Sequence, residues 1–123
     1  MTKKIMVVDD EPDTVDLVKL VLETEGYEIL VAYSGQEALD KIKVNRPDLV
    51  LLDIMMPQMD GWTVRKKIVG NEETKDIPVV MLTAKAQPID KMIGLHVVGV
   101  TDYITKPFGR KELIDSVKRI VGE

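Results

Sequence analysis

The chain has 123 residues, of which 45% are hydrophobic, and a formal net charge of −4. We expect residues 1–123 to form one soluble domain whose folding buries about two-thirds of the unfolded surface. The negative charge argues against direct binding to nucleic acid or to an anionic membrane surface. The absence of cysteine excludes disulfides, thiol catalysis and cysteine-ligated zinc. The N-terminal apolar run is too short for a signal peptide or a membrane span, so we expect a cytoplasmic protein.

Short apolar runs alternate along the chain with segments whose apolar residues recur every three or four positions. The runs are typical of strands, and the recurring pattern is typical of helices that pack on one side. Pro12, Ser34 and Asp60 suit helix starts, and Gly26 suits a helix end. In chain order, we predict a strand at Lys4–Val8, a helix at Pro12–Glu25, a strand at Tyr27–Ala32, a helix with a Ser34–Glu37 capping box that ends before Pro47, a strand at Leu49–Leu52, a short helix after Asp60, a strand at Ile77–Leu82, a helix from Pro88 to about Val97, a strand at Thr101–Thr105 and a last helix after Gly109.

Five alternations of strand and helix predict an α/β fold, in which helices cover both faces of a parallel sheet. The C-terminal ends of parallel strands lie at the same edge of the sheet, which is where open α/β sheets bind ligands. We therefore expect five polar residues to converge at that edge: Asp9, Asp10, Asp53, Thr83 and Lys106.

Asp53 directly follows the apolar run Leu49–Leu52 and has two interpretations. A carboxylate after a buried strand is often a helix cap or a hydrogen-bond acceptor for a loop. It is alternatively a reactive or metal-binding group at the ligand-binding edge. The two other carboxylates predicted at this edge favour the second interpretation, because three close carboxylates all stay ionised only beside a cation.

The residue types at this edge suit the chemistry of a phosphoryl group. Carboxylate oxygens are ligands for hard divalent ions, and Mg²⁺ (or Mn²⁺) needs only one or two of them beside a carbonyl and waters. The Lys106 ammonium and the Thr83 hydroxyl suit phosphate oxygens. Asp53 is then the nucleophile, as aspartates are in enzymes that form aspartyl phosphates.

Four segments of the chain resemble the receiver domains of two-component response regulators, and the resemblance covers the full length. One such segment alone is a weak signal, but four in order at the spacing of five alternations are a strong one. The segments are Val8–Glu11 with its acidic pair, Leu52–Gly61 as the phosphoacceptor segment, Leu82–Ala84 with a hydroxyl before a small residue, and Asp102–Phe108 with an aromatic switch residue and a lysine.

The resemblance implies a flavodoxin-like, doubly wound sheet of five strands in the order 2-1-3-4-5, with five helices. It implies that Asp53 accepts a phosphoryl group from a sensor histidine kinase or a phosphotransfer protein. Asp10 and Asp53 are expected to contact the metal directly, and Asp9 through water. The backbone carbonyl of Met55 is expected to complete the protein ligands.

The same resemblance implies a conformational switch. Thr83 and Lys106 are expected to bind phosphate oxygens, with a cis peptide bond at Lys106–Pro107. After phosphorylation Thr83 is expected to move toward the phosphate, and Tyr103 to move inward. The face formed by the predicted fourth helix, fifth strand and last helix then changes its affinity for a downstream protein.

We expect a stand-alone signalling protein similar to chemotaxis regulators, rather than an enzyme, because the sequence contains no output domain after the last helix. A receiver fragment of a longer regulator is one alternative. A phosphatase with an aspartyl nucleophile is another, but such enzymes usually carry a second carboxylate two residues later, where this chain has Met55. A flavin-binding module of the same fold needs a polar phosphate loop where the acidic segment Asp9–Glu11 stands.

Several other residues are interpreted as structural. Leu17 belongs to the predicted apolar face of the first helix, and Arg65–Lys67 are predicted to form a solvated helix face. Trp62 is interpreted as a packing residue. His96, the only histidine, has no partner motif and is assigned to the surface or to packing.

Overall fold

The computed structural model describes residues 2–83 and 101–122. Four of the five predicted helices lie within these ranges, while the helix predicted from Pro88 to about Val97 lies outside them, as does His96. The elements are β1 (Lys4–Val8), α1 (Pro12–Glu23), β2 (Glu28–Ala32), α2 (Gly35–Val44), β3 (Leu49–Asp53), α3 (Gly61–Val69), β4 (Val79–Thr83), β5 (Asp102–Thr105) and α4 (Arg110–Val121).

The five strands form one parallel sheet, as the sequence pattern predicts, in the order β2-β1-β3-β4-β5 that the family resemblance implies. Every residue of β3 and β4 is buried, because these strands lie inside the sheet and are covered on both faces. Residues Ile5–Val8 of β1 are buried as well. Since all the strands run in one direction, their C-terminal ends share one edge, and this edge carries the site described below.

Alternate side chains of the strands supply two hydrophobic cores, one on each face of the sheet. Val7 and Leu51 belong to the core under α1 and α4, and their neighbours Met6 and Val50 belong to the core under α2 and α3. Leu17 is 48% exposed, so its predicted place on the buried face of α1 is wrong. Within the ranges that the structure describes, no helix is both long enough and apolar enough to span a bilayer.

Two helix starts follow their predicted capping signals. The Ser34 hydroxyl accepts the backbone N–H of Glu37 at 3.1 Å, as the predicted capping box requires, while the Glu37 carboxylate accepts the backbone N–H of Tyr33, one residue before the cap, at 2.6 Å. Asp60 accepts the backbone N–H of Thr63 at 2.8 Å. The cap at Asp60 fixes the point at which α3 starts after the loop that follows Asp53.

Several element boundaries differ from the prediction: β2, β3 and β5 each differ by one residue at one end, and α1 and β4 differ by two. Helix α1 ends at Glu23, two residues early, and a tight turn leads to Gly26, whose positive φ of 90° suits a residue without a Cβ. Strand β4 begins at Val79 rather than Ile77. Pro78 lacks an N–H for the ladder, although its carbonyl still accepts the N–H of Val50 at 3.0 Å.

Candidate functional site

Backbone hydrogen bonds continue past the strand ends and hold the predicted site residues at one edge. The N–H of Asp9 donates to the Ala32 carbonyl at 3.1 Å, and the N–H of Lys106 donates to the Thr83 carbonyl at 2.7 Å. Asp53 is itself the last residue of β3. The predicted site residues therefore lie on the sheet or at most two residues beyond it.

Three carboxylates converge at this edge. One oxygen from each of Asp9, Asp10 and Asp53 lies within 4.8 Å of the others. Asp9 is 0% exposed and Asp53 is 1% exposed, whereas Asp10 is open to solvent. The cluster thus has two buried members and one at its mouth, an arrangement in which like charges repel strongly.

Lys106 supplies the positive charge of the cluster. Its Nζ lies 2.6 Å from Oδ2 of Asp9 and 3.5 Å from Oδ1 of Asp53. The same ammonium lies 3.5 Å from the exposed carboxylate of Glu11, a contact that the sequence did not predict. Burial alone lowers the pKa of Lys106, but the hydrogen bond to Asp9 and the charges of Asp53 and Asp9 outweigh it and raise that pKa.

One oxygen of the Asp53 carboxylate accepts a hydrogen bond, and the other has no hydrogen-bond partner among the described residues. Its Oδ1 accepts the backbone N–H of Met55 at 3.3 Å. Its Oδ2 is buried and has no hydrogen-bond partner among the described residues. Burial, reinforced by the Asp9 charge, raises the pKa of Asp53 from 3.8 to about 6, although Lys106 and the Met55 N–H act in the opposite direction.

This donor set fits a divalent cation such as Mg²⁺. A buried, unpaired carboxylate oxygen is costly unless an ion or a hydrogen-bond donor satisfies it, and Oδ2 of Asp53 is such an atom. Oxygens of Asp9 and Asp10 lie close enough to share one ion with it. Hard cations favour oxygen ligands, and bound charge offsets the repulsion inside the cluster.

The loop after β3 turns sharply and returns to the strand end. The N–H of Met59 donates to the Pro57 carbonyl at 2.7 Å across Gln58, whose φ is 69°. The N–H of Gly61 then donates to the Ile54 carbonyl at 2.9 Å. A Cβ built on Gly61 would lie 2.4 Å from the backbone oxygen of Asp53, so only glycine lets α3 begin this close to the site.

The other predicted site residues flank the cluster. Thr83 ends β4 and is 6% exposed, and its register partner is Thr105 on β5. Tyr103 is also 6% exposed, so the inward movement predicted for it has to start from a position that is already largely buried. The peptide bond between Lys106 and Pro107 is cis.

Sequence reasoning missed two features, one at the site and one on α3. Glu11 was recognised only as part of an acidic segment, and its contact with Lys106 depends on a fold that brings residues 95 positions apart together. Arg65 was assigned to a solvated face, yet its Nε is buried and has no hydrogen-bond partner among the described residues. Its basic neighbours Lys66 and Lys67 are exposed as predicted. The spacing of Arg65 three residues after Trp62 was the available signal for a shared helix face.

Comparisons with known proteins agree with this fold and site. The model of the response regulator receiver domain matches residues 5–118. The structure is similar to chemotaxis protein CheY4 of Vibrio cholerae, with a TM-score of 0.90 and 32% identity over 98% of this chain and 99% of that one. It is also similar to a putative response regulator from Chloroflexus aurantiacus, with a TM-score of 0.89 and 39% identity over 100% of both chains. A third similar structure is the receiver domain of a signal transduction histidine kinase from Syntrophus aciditrophicus, with a TM-score of 0.88 and 34% identity over 98% of this chain and 91% of that one.

The fold and the acidic cluster define a flavodoxin-like signalling module of two-component systems. The chain belongs to the response regulator receiver domain family. Members of this family are signalling proteins that interact with histidine kinases or phosphotransfer proteins. The carboxylate cluster is therefore the candidate functional site of this chain.

The close approach of Gly61 to the site gives the first testable prediction. Gly61→Ala places a Cβ against the Asp53 carbonyl and the Ile54 backbone, neither of which is a flexible side chain that can yield. We expect the free energy of unfolding to fall by roughly 1–3 kcal/mol, as in overpacked cores. Urea denaturation followed by circular dichroism measures this loss.

Gly109→Ala is the matched control, since a Cβ there meets nothing within 4 Å and the substitution costs at most about 1 kcal/mol as an altered helix cap. Equal losses in the two variants would show that the close approach of Gly61 is not the cause.

The raised pKa of Asp53 gives a second prediction, about pH. A carboxyl group whose folded pKa exceeds its unfolded value stabilises the fold below the unfolded value of 3.8 and loses that contribution as the pH rises through about 6. Asp53→Asn cannot ionise. In EDTA, we expect it to be more stable than wild type by roughly 1–3 kcal/mol at pH 7.5, a gain that disappears toward pH 4.

Denaturant unfolding across this pH range measures the difference, and millimolar Mg²⁺ is the control because bound cation should reduce the gain at pH 7.5. A gain that is constant from pH 4 to pH 7.5 would contradict the assignment of the repulsion to ionised Asp53.

Proposed function

We propose that this protein is a stand-alone response regulator that accepts a phosphoryl group on Asp53 and thereby changes its binding to a partner protein. The observation that carries the proposal is the Asp53 carboxylate itself. One of its oxygens is buried and unpaired within the described residues, beside two other carboxylates and opposite Lys106. An oxygen nucleophile flanked by cation ligands and an ammonium suits phosphoryl transfer.

In the proposed reaction a carboxylate oxygen of Asp53 forms a bond to phosphorus while the bond from phosphorus to the donor histidine nitrogen breaks. The leaving nitrogen keeps the electron pair, and the imidazole is released neutral because its other ring nitrogen carries a proton or takes one from solvent. Lys106 is placed to stabilise the charge on the transferred oxygens, because its Nζ lies 3.5 Å from Asp53. The Thr83 hydroxyl is the proposed donor to another of these oxygens.

Mg²⁺ is the proposed cofactor, with Mn²⁺ as a substitute. When bound, it neutralises oxygen charge at the site. Asp10 and Asp53 are the proposed direct ligands, with Asp9 acting through water and Met55 through its backbone carbonyl. Asp10 is the exposed carboxylate of the cluster, which supports entry of the ion from solvent on its side.

The described part of the proposed output surface, where a downstream protein would bind, is formed by β5 and α4. A groove of about 590 Å³ lies there, lined among others by Tyr103, Lys106 and Glu112. Asp102 on β5 accepts hydrogen bonds from Ser116 and Arg119 on α4, so the two elements are tied together. A phosphate adds roughly two negative charges beside Lys106, and we propose that this change alters the face for a downstream protein.

The stand-alone form and the cytoplasmic location are parts of the same proposal. The similarity to CheY4 of Vibrio cholerae over nearly the full length of both chains favours a stand-alone regulator. The similar domain from Syntrophus aciditrophicus belongs to a histidine kinase, which supports the alternative that this chain is a receiver fragment of a longer protein. The mass of the native protein in extracts of the source cells distinguishes the two.

Phosphorylation by a small donor tests the proposed function. Purified protein is incubated with acetyl phosphate and Mg²⁺, and the intact mass is measured. We expect one phosphoryl adduct on the wild type, none on Asp53→Asn and none in EDTA, because the transfer needs both the nucleophile and cation charge.

Asp60→Asn is the matched control, because it changes a nearby carboxylate that caps α3 and asparagine caps helices equally well. It is expected to form the adduct as the wild type does. No adduct on the wild type, or an equal adduct on Asp53→Asn, would overturn the proposed function, while turnover of phosphate esters in excess of protein would favour the phosphatase alternative.

A further inference from the structure

Tyr103 is buried in this structure, in which Asp53 is not phosphorylated. The Tyr103 side chain is 6% exposed and belongs to the hydrophobic core under α2 and α3. On β5 it is in register with Met81 of β4. Its ring therefore points toward α3, so α3 takes part in fixing its position.

Trp62 on α3 packs against the Tyr103 ring. The two ring centroids lie 6.2 Å apart with an angle of 63° between the planes, which is an edge-to-face arrangement. This arrangement is favourable for aromatic pairs because the positive edge of one ring meets the negative face of the other. The attraction between the rings depends on their relative orientation, and an aliphatic side chain of similar size does not reproduce it.

Arg65 lies one helical turn after Trp62 and on the same side of α3. Its Nε is buried without a hydrogen-bond partner in residues 2–83 and 101–122. Burial lowers the pKa of the Arg65 guanidinium, and electrostatic interaction with Tyr103 partly offsets this effect. Arg65 therefore shares the side of α3 that carries Trp62, and its buried Nε gives up solvation there.

We propose that Trp62 and Arg65 are positioning residues that hold Tyr103 in the buried orientation before Asp53 is phosphorylated. The proposal rests on the proposed function, since that function makes Tyr103 part of the switch. Phosphorylation then acts on a tyrosine that is already inward, and α3 sets how strongly the ring prefers that position.

The exposure of Tyr103 can be measured directly in the unphosphorylated protein. The chain has three tyrosines, and 3-fluorotyrosine labels all of them. Tyr27 is 6% exposed and Tyr33 is 45% exposed, so they serve as buried and exposed references in the same molecule. Fluorine NMR with a soluble gadolinium chelate reports the exposure of each ring, and single Tyr→Phe variants assign the signals.

We expect the Tyr103 signal of the wild type to be as protected from the chelate as that of Tyr27. Trp62→Leu should increase the outward-to-inward ratio roughly two- to tenfold, the range set by losing one aromatic pair. Trp62→Phe should keep the wild-type protection, because an aromatic edge or face remains. Arg65→Met should also increase the exposure of the Tyr103 ring. This variant tests the proposal independently if Trp62→Leu does not fold.

Ile42→Val is the matched control, since it removes a buried methyl group from the same core but on α2. It should leave the Tyr103 signal unchanged. The proposal is overturned if wild-type Tyr103 is as accessible as Tyr33, if neither Trp62→Leu nor Arg65→Met raises its exposure, or if Ile42→Val raises it equally. Acetyl phosphate labelling of the same variants, read by mass, reports separately whether Asp53 still accepts a phosphoryl group.

Discussion

The repulsion between buried carboxylates at one sheet edge is the constraint on which the site depends. Asp9 and Asp53 are almost fully buried, and their oxygens lie within 4.8 Å of each other and of Asp10. Lys106 lies 2.6 Å from Asp9 and offsets part of this charge, but burial and the Asp9 charge still raise the pKa of Asp53 to about 6. This arrangement offers clustered oxygen ligands for a cation, and under the proposed function the same place receives the phosphoryl group.

The rest of the fold keeps this cluster in place. The parallel sheet brings strand ends from distant parts of the chain to one edge, and backbone hydrogen bonds fix the first residues beyond them. Gly61 lets α3 start against the backbone of Asp53, and α3 in turn carries Trp62 against Tyr103. The strand that carries Asp53 and the aromatic residue of the proposed switch are thus connected through one short helix.

The sequence predicts much of this arrangement, because strand runs, helix periodicity and capping residues are local signals. They indicate the parallel sheet and predict that Asp9, Asp10 and Asp53 meet at one edge, whereas the strand order follows only from the resemblance to receiver domains. Contacts that depend on side-chain packing were missed. Arg65 reads as one member of a basic run, although its Nε is buried in the folded protein. Leu17 fits the helical period but lies beyond the width of the buried face.

The ionisation of Asp53 with and without a cation tests the central claim most directly. Carbon-13 NMR of the labelled Asp53 carboxyl group follows its titration in EDTA and then in Mg²⁺. The account predicts a midpoint at about pH 6 in EDTA and a clearly lower midpoint in Mg²⁺, because bound charge favours the carboxylate. Equal midpoints in the two conditions, or a midpoint at the ordinary value of 3.8 in EDTA, would contradict it.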